Sequence, residues 1–518
     1  MKKNLMLLLG VCCALLGPLS AITWSPPKLV YSTSTNIGSN PNSYSFGTSP
    51  SGNFAILTWQ DVSTLQVYVS IFSSQTIAWT TTPLFVGAGG GALQSAAITD
   101  SGSATVAYLF NGGATLAMYV TADQVTWANQ TNSITPGIFE NIASAIGGSG
   151  ASTSAFTLYT DSNGVSALVY AAGVFNTDSG IDPTSGSYFF ADTMGLLNDA
   201  GDGYAAWLRF TLGGGVTTKL VSIPFNAGNF VGVPTVVDTG VSTPSPNSAF
   251  GLNLASATPS SFVPLVEPGT TLIGFPPLQA ASPLVTLDPG VVRQNSFMGS
   301  NQLGTVIAAW FSPTNSNFLY GATFSGGVWN PPYVIDPEAT GSAPILPDVT
   351  VNAQGDAIVV WETGTEVLSS FFNGSSWEKV TVAPLGFTPA FATPGVMYLP
   401  GGNAAIAFWQ NDSNFFEWSI EGTVVFPPTS LTGKQVLNRF LAQKSYVTIL
   451  NWMPGTNSSS VVGYRIYKDG VFIAQVGSNV FTFENIANNC SQNTPHTYEV
   501  TAVNSAGVES PPIIITLG

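Results

Sequence analysis

A glycine turn followed by a short apolar run that stops on a large aromatic residue recurs along this chain. The stretch "NAQGDAIVVW" at 352–361 is one example, and similar stretches occur at 49–59, 99–108, 198–207, 301–310 and 399–409. Their turn glycines are Gly52, Gly102, Gly201, Gly304, Gly355 and Gly402, with spacings of 50, 99, 103, 51 and 47 residues. Since two gaps are about twice the others, weaker units are expected near residues 150 and 255. The chain therefore contains about eight units with a period near 50 residues.

Each unit has the same order of strands. An apolar strand leads into the glycine turn, a second strand ends on the aromatic residue, a third follows, and a fourth often carries another Trp, as in "SWEKVTV" at 376–382. Four antiparallel strands at this period resemble the blades of a β-propeller, and the resemblance is to exported bacterial repeat proteins of this kind. The resemblance predicts an all-β fold with seven to eight four-stranded blades over residues 22–428. Either 22–32 or 423–431 would supply the strand that closes the ring, and the sequence leaves both open.

The repeated aromatic residues have a packing explanation. A blade must pack against a neighbour on each face, so strands such as "AIVVW" carry apolar residues at nearly every position. We expect Trp59, Tyr108, Trp207, Trp310, Trp361 and Trp409 to fill the space between blades rather than to stack on a ligand.

Residues 429–518 follow a different pattern. They contain "NWMPG" at 451–455, "VVGYRIYKDGVFIAQV" at 461–476 and "HTYEVTAVNSAGVESPP" at 496–512. These motifs resemble a fibronectin type III domain, in which Trp452 matches the core Trp of an early strand and Tyr498 matches the tyrosine-corner residue. The stretch 431–450 is longer than the usual connection between the first two strands of that family. The resemblance implies a non-catalytic spacer or binding module.

Residues 1–21 have the pattern of a secretory signal peptide. Lys2 and Lys3 precede the apolar segment 5–16, and Leu19-Ser20-Ala21 offers a cleavage point. We expect an exported protein in the periplasm, at the outer surface or outside the cell, with no transmembrane helix in the mature chain. Of three Cys residues, only Cys490 lies outside this segment, so no internal disulfide is expected.

Charge is low and unevenly distributed. Charged residues make up 8% of the chain, and residues 22–428 contain 5 Lys and Arg against 23 Asp and Glu. Residues 429–518 are close to neutral, with 5 against 4. This acidic excess disfavours nucleic acid, and no nucleic-acid partner is predicted, because neutralising phosphate needs clustered Lys and Arg.

The composition of residues 22–428 also restricts catalysis. The chain's only His is His496, and 22–428 contains no Cys, so a Ser-His-Asp triad or a His-ligated metal site is excluded within that segment. No cofactor and no metal site is predicted, and no catalytic residue can be assigned. The enzymatic option that remains is a glycoside hydrolase with a pair of axial Asp or Glu carboxylates.

The preferred hypothesis is an exported binding or adhesion protein that presents a propeller face to a protein or a glycan. Its candidate contact residues follow the second strand of a blade, namely Gln60, Asp61, Glu362, Gln410 and Asp412. The alternatives are the propeller glycoside hydrolase and a structural protein of the cell envelope.

Overall fold

The computed structural model describes most of the chain between Trp24 and Leu517. The described residues are 24–25, 28–32, 44–61, 64–86, 93–110, 114–135, 141–162, 164–183, 189–210, 217–242, 251–258, 260–267, 271–278, 283–288, 296–312, 318–337, 347–363, 366–372, 377–384, 394–400, 405–410, 414–419, 427–440, 443–454, 461–488, 495–504, 507, 509–510 and 512–517. The predicted signal peptide, Gly402, Asp412 and Cys490 lie outside them.

Strand β1 (Lys28–Ser32) comes first in the chain, and three four-stranded sheets follow. The first sheet contains β2 (Tyr44–Thr48), β3 (Phe54–Gln60), β4 (Gln66–Ser73) and β5 (Ala78–Val86). The second contains β6 (Leu93–Ile98), β7 (Ala104–Phe110), β8 (Thr115–Thr121) and β9 (Ala128–Ser133). The third contains β10 (Ile142–Gly147), β11 (Ser154–Asp161), β12 (Gly164–Ala171) and β13 (Val174–Pro183), with a 3₁₀ turn at Gly150–Ser152 between β10 and β11.

Five further sheets continue the series. The fourth contains β14 (Phe189–Leu197), β15 (Gly203–Phe210), β16 (Thr217–Asn226), β17 (Asn229–Phe230) and β18 (Thr235–Ser242). The fifth contains β19 (Gly251–Thr258), β20 (Ser261–Glu267), β21 (Leu272–Gly274) and β22 (Val285–Asp288). The sixth contains β23 (Ser296–Ser300), β24 (Val306–Ser312), β25 (Phe318–Ser325), β26 (Val328–Trp329) and β27 (Tyr333–Asp336). The seventh contains β28 (Asp348–Val351), β29 (Ala357–Glu362), β30 (Glu366–Phe372) and β31 (Trp377–Pro384), and the eighth contains β32 (Gly395–Tyr398), β33 (Ala405–Gln410), β34 (Asn414–Ser419) and β1.

The chain is all-β, and these antiparallel sheets have the form of propeller blades. The first strand of each sheet contacts the first strand of the next, from β2 through β6, β10, β14, β19, β23 and β28 to β32. The eighth sheet in turn packs on the first, because Met397 and Leu399 share a buried cluster with Ala55 and Phe72.

The strand β1 completes the eighth sheet. Lys28 lies opposite Glu417 and Ser32 lies opposite Asn414, so residues from the start and the end of this region pair in one sheet. Just before β1, Trp24 packs among residues of the seventh and eighth sheets and donates a hydrogen bond from Nε1 to Ser369 Oγ at 2.9 Å. Of the two stretches left open by the sequence, 22–32 therefore provides the outer strand of the last sheet.

The repeated motif forms the elements predicted for it. Gly52, Gly102, Gly201, Gly304 and Gly355 all have positive φ, as a tight turn between the first and second strands requires. The aromatic residues expected to end the second strands lie one to three residues before the strand ends, and their side chains are 0% exposed at Trp59, Tyr108, Trp207, Trp310 and Trp361. The weaker units near 150 and 255 are the third and fifth sheets. The side chain of Trp409 is outside the described part of the structure.

Residues 429–517 form two further sheets around a separate core. One sheet has the order β35 (Thr429–Phe440), β36 (Gln443–Met453), β39 (Thr482–Asn488). The other has the order β38 (Val471–Gly477), β37 (Val461–Lys468), β40 (His496–Asn504), β41 (Ile513–Leu517). Trp452, Tyr464 and Tyr498 are buried together between them.

Two expectations about this region are corrected. The stretch 431–450 is a pair of long hydrogen-bonded strands rather than a long connection, because β35 pairs with β36 along nearly its whole length. Residues 429–431 begin β35 and so do not belong to an outer strand of the eighth sheet, whereas 423–426 lie outside the described residues.

Glycines in the first strands allow those strands to approach each other closely. A Cβ added to Gly299 of β23 would lie 2.4 Å from the backbone oxygen of Val349 in β28, and one added to Gly147 would lie 2.2 Å from the backbone oxygen of Asn198. Neither glycine has a positive φ, so space rather than backbone conformation requires glycine there. Contacts this short are prohibited, and the strands would have to separate to admit a methyl group.

We predict that Gly299→Ala destabilises the protein by about 1–3 kcal/mol, the usual effect of overfilling a packed interior. The matched control is Gly477→Ala in β38, where an added Cβ meets no atom within 4 Å. Urea unfolding followed by Trp fluorescence measures both. Equal midpoints for the two variants would contradict the steric argument.

Candidate functional site: the central cavity

Hydrogen bonds from side chains connect the first strands of neighbouring sheets. The first strand is the edge of its sheet, so backbone N–H groups on its outer side need partners from elsewhere. Side-chain oxygens of the preceding sheet accept several of them: Ser45 Oγ from Ala96 N at 3.1 Å, Ser95 Oγ from Ser144 N at 2.8 Å, Asp348 Oδ2 from Val396 N at 2.8 Å, and Thr350 Oγ1 from Tyr398 N at 3.3 Å. These contacts hold the first strands in a fixed arrangement around the space they enclose.

That space is a cavity of about 620 Å³. Its lining comes from the first strands of the first, fourth, fifth, sixth, seventh and eighth sheets and from the hairpins that follow four of them. Exposed residues in three of these hairpins, Ser51, Leu303 and Ala353, line it at one end. The cavity therefore opens where the first strands turn into the second strands.

The lining combines apolar groups with neutral polar groups. Apolar groups come from residues such as Leu254, Phe297 and Met397. Neutral polar groups come from Asn253 and Thr350. Among the described lining residues, Asp348 is the only carboxylic acid, and none is Lys, Arg or His. A pair of axial carboxylates, which the glycoside hydrolase alternative needs, is not found among these residues.

Asp348 is the ionisable centre of the cavity. Burial raises the pKa of its carboxyl group to about 7, although hydrogen bonds from the backbone N–H groups of Val396 and Val349 act to lower it. The carboxyl group thus keeps its proton at pH values where an exposed Asp is ionised. Nearby, burial and the carboxylate of Asp356 raise the pKa of the Tyr398 phenol, which stays protonated.

Three of the predicted contact residues are buried at the far ends of the second strands. Gln60 donates from Nε2 to the backbone oxygen of Leu65 at 3.2 Å, and Asp61 Oδ1 accepts from Thr64 N at 3.1 Å. Glu362 ends β29 and is also buried.

These positions are equivalent from sheet to sheet, as the sequence predicted. They lie at the opposite end of the sheets from the hairpins at the cavity opening. Gln410 ends β33, but its side chain is not described, and Asp412 lies outside the described residues. A role in binding for these five residues stays a prediction.

A second set of acidic residues, which the sequence analysis missed, connects neighbouring sheets. Asp182 Oδ2 accepts from Trp207 Nε1 at 2.7 Å, and Asp288 Oδ2 accepts from Trp310 Nε1 at 3.0 Å. Asp336 ends the sixth sheet and lies 2.9 Å from Lys379 Nζ of the seventh. The signal was present as a repeated apolar-Asp-Pro triplet at 181–183, 287–289 and 335–337. These acids join one sheet to the next and have a structural role.

Basic side chains in the eight sheets are paired with acids. Each described Lys or Arg of residues 22–428 has a carboxylate oxygen within 4.0 Å, in the pairs Lys28–Glu417, Arg209–Asp182, Lys219–Asp238 and Lys379–Asp336. Arg293 lies outside the described residues. In the described part of these sheets, the cations therefore balance carboxylates of the protein itself.

One pair of carboxylates near the hairpins interacts electrostatically. Burial, and secondarily the charge of Asp100, raise the pKa of Asp199. Asp100 itself accepts from Ser51 N at 2.9 Å and from Ser51 Oγ at 2.7 Å. Over the residues that the structure describes, no group of three or more His, Cys, Asp or Glu side chains is arranged to hold a metal ion.

His496 is the first residue of β40 and lies beside the turn that joins β37 to β38. Its Nδ1 lies 2.6 Å from Asp469 Oδ2, and the backbone N–H of Thr497 together with His496 lowers the pKa of Asp469. Asp469 and Gly470 both have positive φ in this turn, so the contact fixes the hairpin between β37 and β38.

In the described portion of the structure, no helix has the length and apolar character required to cross a membrane.

Comparison with known proteins identifies no family. No known protein family matches the sequence, and no curated protein matches it either.

Solved structures with a similar arrangement are β-propeller proteins. The AofleA protein of Arthrobotrys oligospora has a TM-score of 0.38 and 12% identity, over 70% of this chain and 91% of that one. The fungal lectin of Aleuria aurantia is reported as a six-bladed β-propeller with a fucose recognition mode. It has a TM-score of 0.37 and 14% identity, over 70% of this chain and 100% of that one. The β-propeller domain of the Trilobed protease from Pyrococcus furiosus is reported to have an open velcro topology. It has a TM-score of 0.36 and 7% identity, over 76% of this chain and 96% of that one. At these values the similarity carries no argument about ligands, and the description of the sheets rests on their own strand order and contacts.

We predict that Asp182→Asn destabilises the protein by up to about 3–5 kcal/mol, because it leaves the partly buried guanidinium of Arg209 without its counter-charge. Asp238→Asn is the control: Asp238 is half exposed and 4.0 Å from Lys219, so about 0–1 kcal/mol is expected. Denaturant unfolding measures both, and similar small losses would contradict a structural role for the Asp182–Arg209 contact.

We also predict a pH effect from Asp348. Its native pKa of about 7 exceeds the unfolded value of about 4, so the folded state holds a proton that the unfolded state releases. The contribution of this group to stability is full below pH ~4 and is lost as the pH rises to about 7. Asp348→Asn should flatten the fall in stability across this window.

The control for this measurement is Asp123→Asn. Hydrogen bonds from the backbone N–H groups of Thr126 and Val125 lower the pKa of Asp123 to about 2, so its contribution changes only in more acidic solution. Urea midpoints measured from pH 4 to 8 compare the two variants with the native chain. An unchanged slope in Asp348→Asn would show that the carboxyl group ionises normally.

Proposed function

We propose that this chain is an exported, non-catalytic binding protein with an eight-bladed propeller and a C-terminal fibronectin type III module. The observation that carries the proposal is the central cavity, which is lined by apolar and neutral polar groups around one carboxyl group. Such a lining suits recognition by shape and hydrogen bonds. The partner would be a glycan or a protein.

Strand order supports the blade number. Eight sheets succeed each other between residues 28 and 419, each first strand contacts the next, and the eighth sheet shares a core with the first. A closed ring covers both apolar faces of every sheet.

The C-terminal sheets have features in favour of a fibronectin type III module. Three strands face four, Trp452 is in the core, and Tyr498 donates from its hydroxyl to Thr448 Oγ1 at 3.2 Å, which joins the two sheets. The family's tyrosine corner bonds to the backbone, so this contact differs in its acceptor. The module would serve as a spacer or as a second contact surface.

Export is proposed from the sequence of residues 1–21. The final location, at the bacterial surface, in the periplasm or outside the cell, is part of the same proposal, as is the alternative of a structural envelope protein. Surface proteolysis of intact cells tests it: cleavage from outside supports a surface protein, and complete protection contradicts adhesion.

Glycoside hydrolysis is the second candidate, and one observation favours it. The raised pKa of Asp199 beside the carboxylate of Asp100 resembles the division between a general acid and an ionised partner. Neither residue lines the cavity, and the hydrogen bonds that Asp100 accepts from Ser51 favour a structural pair instead.

A glycan array combined with a broad glycosidase screen separates these functions. We expect saturable binding without turnover, and we expect Asp199→Asn to bind as the native chain does. Turnover that Asp199→Asn abolishes would replace the binding proposal with the hydrolase. If the array shows no binding, binding to immobilised candidate proteins tests whether the ligand is a protein. Absence of binding to both glycans and proteins contradicts the proposal.

A further inference from the structure

We infer that the central cavity is the ligand site and that it takes a neutral, hydroxyl-rich molecule, a sugar, in preference to a charged one. This inference rests on the proposed binding function. It adds the place of binding, the chemical class of the ligand and the hairpins that control entry.

Charge is the first argument. The described lining has no Lys, Arg or His, so an anionic ligand would find no counter-charge there. The described bases elsewhere in the eight sheets already pair with carboxylates, and residues 22–428 as a whole have a large excess of acids. A buried anion without a partner is strongly disfavoured. A dication or polycation would need more than the single carboxyl group of Asp348.

Hydrogen-bonding capacity is the second argument. Asn253 of the fifth sheet and Thr350 of the seventh line the cavity, and the first strand of the sixth sheet lies between them. Leu254 and Met397 lie among these polar groups. A sugar ring has hydroxyl groups at its edge and C–H groups on its faces, so it matches a lining that alternates in this way. A cavity of about 620 Å³ is also within the range of small-molecule sites.

The opening is the third argument. Leu303 lines the cavity at the tip of the hairpin after β23, yet its side chain is 69% exposed. The preceding residue, Gln302, has a φ of 55°, a conformation that few residues other than glycine adopt. Gly304 N donates to Ala257 O of the fifth sheet at 2.7 Å, so this hairpin is held in place. An apolar side chain is thereby kept exposed beside the entrance.

The test narrows the opening without touching the core. Ala353 is exposed in the hairpin after β28 and lines the cavity, so Ala353→Trp should obstruct entry. Ala200 is exposed in the corresponding hairpin of the fourth sheet and does not line the cavity, so Ala200→Trp is the matched control. In a second pair, Leu303→Trp changes an exposed apolar hairpin residue that lines the cavity. Its control is Val125→Trp, which changes an exposed apolar hairpin residue outside the lining.

The probes are methyl glycosides of glucose, galactose, fucose and N-acetylglucosamine, with glucuronic acid and glucosamine as charged counterparts. Saturation-transfer NMR and calorimetry measure binding, and circular dichroism checks that each variant is folded. We expect at least one neutral glycoside to bind. Its affinity should fall by about tenfold or more in Ala353→Trp and Leu303→Trp and stay within about twofold in the controls, where tenfold corresponds to about 1.4 kcal/mol.

The results distinguish this inference from the proposed function. If the glycan array is positive but neither cavity variant weakens binding, the cavity is not the site and the binding function stands. Tighter binding of glucuronic acid or glucosamine than of the neutral glycosides overturns the ligand class. Absence of any binding by neutral glycosides at millimolar concentration overturns the inference, whether or not a protein ligand is found.

Discussion

The eight sheets between residues 28 and 419 are apolar on both faces, and neither face is stable in water alone. Strands such as β29 are buried at every position, which an isolated sheet cannot achieve. Each sheet must therefore have a neighbour on both sides, and a circuit in which the eighth sheet meets the first satisfies all of them. The buried aromatic residues, the glycines of the first strands and the enclosed cavity all follow from this arrangement.

Polar contacts decide how the sheets meet once burial has brought them together. Near the centre, Ser45, Ser95 and Asp348 accept backbone hydrogen bonds from the next sheet. Farther out, Asp182 and Asp288 accept from buried indole groups. Buried polar groups must be paired, so each such contact admits few relative positions of two sheets. The apolar surfaces supply most of the stability, and these contacts determine the register.

Local features of the fold could be predicted from the sequence because they depend on nearby residues. A glycine such as Gly355 indicates a turn through its own backbone, and Trp361 follows it on the same strand. The choice between 22–32 and 423–431 as the closing strand could not be predicted, since it depends on a pairing across almost the whole region. The site was hidden for a similar reason. Asp348 is an ordinary acid in the sequence, and its raised pKa arises only when several first strands enclose it. The predicted residues Asp61 and Glu362 occupy equivalent positions, but a one-dimensional pattern does not reveal which end of the sheets surrounds the opening.

The pairing of β1 with β34 has a consequence for the time course of folding. Lys28 and Glu417 are brought together from opposite ends of the region, so the loss of chain entropy on closing so long a loop comes before the contact contributes any stability. A sheet built from consecutive hairpins can form as soon as its own strands are available. The eighth sheet is complete only when β1, near the start of the region, has reached β34 near its end. Until the ring closes, the apolar faces of the first and eighth sheets that pack against each other in the native structure stay exposed to water. A folding intermediate of that kind is the species that a chaperone would have to protect from aggregation.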